Sequence, residues 1–107
     1  MKKAALVLAP EAGEKDGIIP LPSGEQALLK SIIEDKDASD ALKAVEVLRL
    51  VENVVLAAFE GGVLIRDVLL PPNWPEETRE TIKLVLNAKG YHVPDGQHQP
   101  KATTVPF

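Results

Sequence analysis

The positions of the prolines constrain the fold of this chain more than any other feature. All nine fall into three groups: one before residue 23, one between residues 71 and 75, and one after residue 93. Proline lacks a backbone donor and breaks helices. The proline-free stretch 23–70 therefore predicts the main helices, and the three groups predict the boundaries between regular elements.

The length of 107 residues predicts one small domain, and a hydrophobic content of 45% is enough for a core. A formal net charge of -4 argues against general binding to nucleic acid or to anionic membranes. The chain has no cysteine, which excludes disulfides, thiolate chemistry and Cys-based metal sites.

Two helices are predicted in the proline-free stretch. The first covers about residues 24–35, and Ser23 with Gln26 has the spacing of a capping box. The second starts near Ser39 or Asp40, runs to Glu60, and ends at a pair of glycines. This second helix is apolar on most of its circumference, which is typical of a helix covered by several neighbours.

A strand–helix–strand unit follows. A branched strand covers residues 63–70, and Asn73 is predicted to cap a third helix that ends at Gly90. Residues 91–93 then form a short strand, in a right-handed parallel crossover. The predicted fold class is α+β: two helices, then this unit, with extended N- and C-terminal arms and an N-terminal strand that could join the sheet.

The predicted organisation has three parts: an extended arm over residues 1–22, a compact core over 23–93, and an extended tail over 94–107. Proline-spaced apolar residues in the two arms suit docking on a neighbouring chain. Eight residues are predicted interface positions, of which the four in the second helix serve as core or as subunit contacts: Ile18, Ile19, Leu48, Val51, Val55, Phe59, Trp74 and Phe107. Trp74 can instead cover the entrance of the third helix.

The two histidines, His92 and His98, lie in a polar segment together with Asp95. Imidazole and carboxylate groups are good metal ligands, but the spacing matches no recognised metal motif. A polar tail with incidental histidines is the favoured interpretation, and we predict no metal and no cofactor.

Other charged residues also have two interpretations. Glu76, Glu77 and Glu80 could be paired acid–base groups, although capping and a solvated helix face are favoured because neighbouring helix positions diverge. Arg66 and Asp67 interrupt an apolar strand and could form a buried ion pair or part of a partner-binding surface. Because adjacent strand residues point to opposite faces, one polar residue facing solvent and one at the strand edge is the favoured interpretation. The sequence has neither a phosphate-binding glycine loop nor a nucleophile elbow, so we predict no enzyme activity.

Residues 41–93 carry one further pattern. A long helix ending in Phe59-Glu60-Gly61-Gly62 precedes a branched strand, a Leu70-Pro71-Pro72-Asn73-Trp74-Pro75-Glu76-Glu77-Thr78 helix start, and Lys89-Gly90-Tyr91-His92-Val93. This pattern resembles small proteins of tailed bacteriophages. The resemblance covers about half the chain, implies a virion or accessory component, and transfers no catalytic residue.

The sequence therefore predicts a non-enzymatic structural or assembly protein, most concretely a phage head or decoration component that binds neighbouring subunits. A small acidic adaptor or inhibitor of a host or regulatory protein is the alternative, and a metal enzyme using His92 and His98 is a weaker third. The apolar run 4–9 is too short for a signal peptide, and no segment suits a membrane span. The expected location is the virion or the host cytoplasm.

Overall fold

A computed structural model describes residues 2–8 and 17–94. They form three strands and three helices: β1 (Lys2–Val7), β2 (Ile18–Pro20), α1 (Ser23–Glu34), α2 (Asp40–Glu60), β3 (Val63–Leu69) and α3 (Glu76–Ala88). The predicted mixed helix-and-strand fold is confirmed, and the three predicted helices are present with boundaries within about two residues of those expected.

The three strands form one parallel sheet in the order β2-β1-β3. His92 extends this sheet with a parallel bridge to Asp67 on the free side of β3. Its backbone N–H donates to the Arg66 carbonyl at 2.8 Å, and its carbonyl accepts from the Val68 N–H at 2.9 Å. The predicted parallel strand–helix–strand unit is therefore present, with its last strand reduced to this bridge.

The hydrophobic core lies on one face of the sheet. Alternate strand residues such as Leu6, Val68 and Val93 point to this face and are buried against residues of all three helices. Because α2 packs against α1, α3 and β3, it is the central helix of the layer. α1 and α3 therefore flank α2, and the sheet lies beneath it.

The opposite face of the sheet is also apolar. Val7 and Leu69 pair across β1 and β3, and Ile18 pairs with Ala5 on the other side of β1. None of these three apolar side chains belongs to the core cluster, and no described helix packs on this face. The connection from β1 to β2 is only residues 8–17, shorter than the dozen or more residues of a usual crossover.

The N-terminal segment predicted to be an arm contributes both β1 and β2 to the sheet. β1 is the middle strand, flanked by partners on both sides. Ile18 and Ile19 are half-buried, and Ile19 packs against the core. The C-terminal tail from residue 95 onward, including Phe107, lies outside the described residues.

Helix α2 begins and ends as its sequence predicts. The Ser39 Oγ accepts a hydrogen bond from the Leu42 N–H at 3.1 Å, which satisfies one of the free donors of the first turn. After Glu60 the chain turns away through Gly61 and Gly62. Gly62 has a φ of 89°, a conformation that costs little only for glycine.

The other two helices begin differently from the prediction. The N-cap of α1 is Pro22, and the Gln26 side chain donates to the Leu21 carbonyl at 2.6 Å, so the predicted Ser23 capping box does not form. Pro75, not Asn73, occupies the N-cap of α3, which has no side-chain cap. Proline fixes φ near the helical value, so it can precede a helix without a side-chain acceptor.

Candidate functional site

A cleft opens at the carboxyl edge of the parallel sheet. It is lined by Leu8 after β1, by the first three turns of α1, and by the loop Pro71–Pro75 after β3, with a volume of about 1060 Å³. β1 and β3 are neighbours in the sheet, and the chain continues from them in opposite directions. It leads from β1 to β2 on one side, and from β3 to His92 on the other. Parallel sheets commonly bind ligands at such a change of direction.

The lining of this cleft combines apolar and polar groups. Trp74 and Ile33 provide apolar surface, and Ser23, Lys30 and Asn73 provide polar groups at the margin. Glu34, at the end of α1, adds a carboxylate to this lining. Trp74 is half-buried and packs against the core, consistent with covering the entrance of α3.

Acidic residues cluster where α2 and α3 begin. Asp40, Glu76, Glu77 and Glu80 surround a shallow depression. The described residues contain no group of three or more His, Asp or Glu side chains arranged to hold a metal ion. Asp40 accepts a hydrogen bond from the Thr78 hydroxyl at 2.7 Å and so joins the two helices. Asp40 thus has a structural role in this cluster.

The candidate metal-binding histidine His92 lies on the exposed edge of the sheet. Its Nδ1 is 3.3 Å from the Asp67 Oδ1, and the His92 side chain is 70% exposed and that of Asp67 48%. Asp95 and His98, the other two residues of this candidate site, lie outside the described residues.

Asp67 reaches His92 because β3 contains an irregularity. The register between β1 and β3 shifts at Arg66, so that Ala4 pairs with Ile65 and Ala5 with Asp67. Arg66 is the extra residue and is exposed. A bulge of this kind re-aims the following side chain, and Asp67 consequently lies on the face opposite the core, beside Ala5.

One tyrosine has a perturbed acidity. Burial raises the pKa of the Tyr91 hydroxyl above its usual 10.0, and the negative charge of Glu52 raises it further. Tyr91 packs against the core at the end of α3. Glu52 is exposed on α2, so its carboxylate lies close enough to the Tyr91 hydroxyl to influence its pKa.

The largest group of exposed apolar side chains on one element lies on α2. Leu42 is 50% exposed, Val45 43%, Leu56 59% and Phe59 51%. A soluble helix usually turns polar residues toward solvent. The excess apolar surface expected from the sequence is therefore found on α2, in these four side chains.

These four residues belong to one line along the helix. Between the two apolar pairs lie Arg49 and Glu52, which are also exposed. The line has successive spacings of 3, 4, 3, 4 and 3 residues, the a and d spacing of a coiled coil. We call it the α2 stripe, and it comprises Leu42, Val45, Arg49, Glu52, Leu56 and Phe59.

The predicted interface residues of α2 divide between two environments. Leu48 and Val51 are buried in the core of their own chain, and Val55 is half-buried against it. Phe59 alone among them belongs to the α2 stripe. The sequence prediction missed Leu42, Val45 and Leu56, although their coiled-coil spacing with Phe59 is visible in the sequence.

Within the described part of the chain, the helices are either too short or too polar to cross a bilayer. Comparisons with protein-family models, curated proteins and solved structures find no match to this chain.

Proposed function

We propose that this chain is a non-enzymatic assembly protein that binds other protein subunits through α2. The α2 stripe is the observation that carries the proposal. Four half-exposed apolar side chains lie along one helix, two toward each end of the stripe, and grouped exposed apolar side chains are typical of protein–protein contacts. Burying them against a subunit would remove this apolar area from solvent.

The most concrete form of the proposal is a structural component of a tailed-phage virion, in the head or as a decoration protein. Its support is the sequence resemblance over residues 41–93. The sheet face away from the described helices carries the half-buried Ile18 and Leu69, which could form a second contact surface for a protein with several neighbours.

Light scattering after size-exclusion chromatography tests the assembly proposal. The full chain has a mass of 11.5 kDa, so self-association gives a multiple of that mass that rises with concentration. Leu56→Glu places a charge in the α2 stripe and should reduce the mass to that of a monomer. Leu84→Glu is the matched control, because Leu84 is an exposed leucine on α3.

The parent and Leu84→Glu should remain associated where Leu56→Glu is monomeric. A compact 11.5 kDa monomer at every concentration would contradict self-assembly. For the virion form of the proposal, the protein should be recovered from purified particles at a fixed copy number. Recovery only from the surrounding extract would argue against that form.

The carboxyl-edge cleft favours a second candidate, the small acidic adaptor or inhibitor. A cleft of about 1060 Å³ beside Trp74 can hold an apolar side chain or a short segment of a partner. Trp74 is the only tryptophan, so its fluorescence reports binding there. An adaptor stays monomeric alone and changes its Trp74 emission with its partner.

A further inference from the structure

We propose that the α2 stripe pairs with the same stripe of a second copy, with the two helices antiparallel about a two-fold axis. This inference rests on the proposed assembly function and specifies the partner and the register. The axis passes at the level of the Leu50–Val51 peptide, the midpoint of the stripe. The pairing involves surface side chains and leaves the core of each chain intact.

The order of residues in the stripe is self-complementary. Counted from the midpoint, Leu42 and Phe59 are equally distant, and so are Val45 and Leu56. An antiparallel two-fold pair brings the two members of each set together, because such a contact uses one patch on both subunits. Each apolar side chain therefore meets an apolar side chain of the second copy.

The charged residues of the stripe obey the same symmetry. Arg49 and Glu52 flank the midpoint at equal distances and are both exposed. In the antiparallel arrangement Arg49 of each copy faces Glu52 of the other, which gives two opposite-charge pairs. The parallel arrangement would place Arg49 against Arg49 and Glu52 against Glu52, and such like-charge contacts disfavour it.

The position of α2 in the fold makes the contact available. α2 is the central helix of its layer, and at 21 residues it is longer than α1 and α3, which have 12 and 13. The stripe spans about 26 Å of its length. Glu46 and Glu60 lie beside the stripe and remain in water at the rim, where charge contacts contribute little.

Introduced cysteines test the register, since the chain has none of its own. The double variant Val45→Cys with Leu56→Cys should oxidise to a covalent dimer. The two positions are about 16 Å apart within one helix, too far for an internal disulfide. Each single variant should give little covalent dimer, because like positions lie far apart in the antiparallel pair.

Charge exchange tests the central pair independently. Arg49→Glu should weaken dimerisation roughly tenfold, because it replaces two opposite-charge pairs with two like-charge pairs. Adding Glu52→Arg to the same chain should restore association to near the parent value. Loss of association that the second substitution does not restore would overturn the proposed Arg49–Glu52 contact.

The outcomes separate this inference from the assembly function. Covalent dimer from either single cysteine variant would overturn the antiparallel orientation. An oligomer in light scattering that no cysteine variant can cross-link would overturn the use of this stripe and leave assembly through another surface. A monomer at every concentration would overturn the pairing of two copies, and the assembly function would then be decided by recovery of the protein from purified particles.

Discussion

The Thr78–Asp40 hydrogen bond should contribute measurably to the packing of α3 against α2. Thr78 is the only buried polar side chain among the described residues, with 4% exposure, and its hydroxyl donates to Asp40 at 2.7 Å. A hydrogen bond to a charged acceptor contributes about 1.5–3 kcal/mol. Asp40 is only half-buried, so water can replace the lost donor, and we expect about 1.5 kcal/mol.

Thr78→Val tests this contribution while keeping the shape of the buried side chain. For a domain of this size the loss lowers the melting temperature by about 6–12 °C. Circular dichroism during thermal and urea unfolding measures the change, at one low protein concentration so that association does not contribute. Thr78→Ser is the control, since it keeps the hydroxyl and removes only a methyl group.

A double-mutant cycle isolates the hydrogen bond from other effects of each substitution. Asp40→Ala also removes a favourable charge at the start of α2, but that loss occurs in both backgrounds and cancels. We expect Thr78→Val to cost almost nothing once Asp40 is alanine. If the two losses simply add to within about 0.5 kcal/mol, the hydrogen bond does not link the helices as described.

Three further predictions follow from the fold. Leu6→Ala should lower the free energy of unfolding in urea by about 2–5 kcal/mol, because Leu6 is fully buried in the central strand; a cost below about 1 kcal/mol would contradict this. Ser39→Ala should cost about 1 kcal/mol through the lost N-cap, with Ser39→Asn nearly neutral. The Tyr91 pKa should exceed 10.0 by tyrosinate absorbance and fall with Glu52→Gln, though burial, the larger cause, would remain. The folded state favours the protonated phenol, so the free energy of unfolding should fall as the pH rises past 10.0 and Tyr91 loses its proton. A Tyr91 titration midpoint at 10.0 in the folded protein would refute the prediction.

Local signals in the sequence correctly predict the long central element. Ser39 caps α2, glycines end it, and Pro71 follows β3, and each effect involves residues close in the chain. The predicted caps at Ser23 and Asn73 are wrong because Pro22 and Pro75 occupy the N-cap positions. Proline at such a position sets the backbone without a side-chain acceptor. A capping motif next to a proline is therefore not enough to locate the first residue of a helix.

Long-range packing decides what local patterns leave open. The central place of β1 depends on its pairing with β3, about sixty residues further along the chain. Likewise, the outer surface of α2 is set by which sides α1, α3 and β3 cover. Sequence periodicity centres the polar face near Lys43, Glu46 and Asn53, whereas the structure also exposes Leu42 and Leu56.

The parallel pairing of β1 with β3 has a consequence during synthesis. β1 emerges from the ribosome before β3, its neighbour in the sheet, which ends only at Leu69. At a synthesis rate of about 5–20 residues per second, roughly 3–12 s pass between completion of β1 and completion of β3. During this interval the newly made chain exposes Leu6 and Val7, and a ribosome-bound chaperone that shields such apolar segments would improve the yield of folded protein.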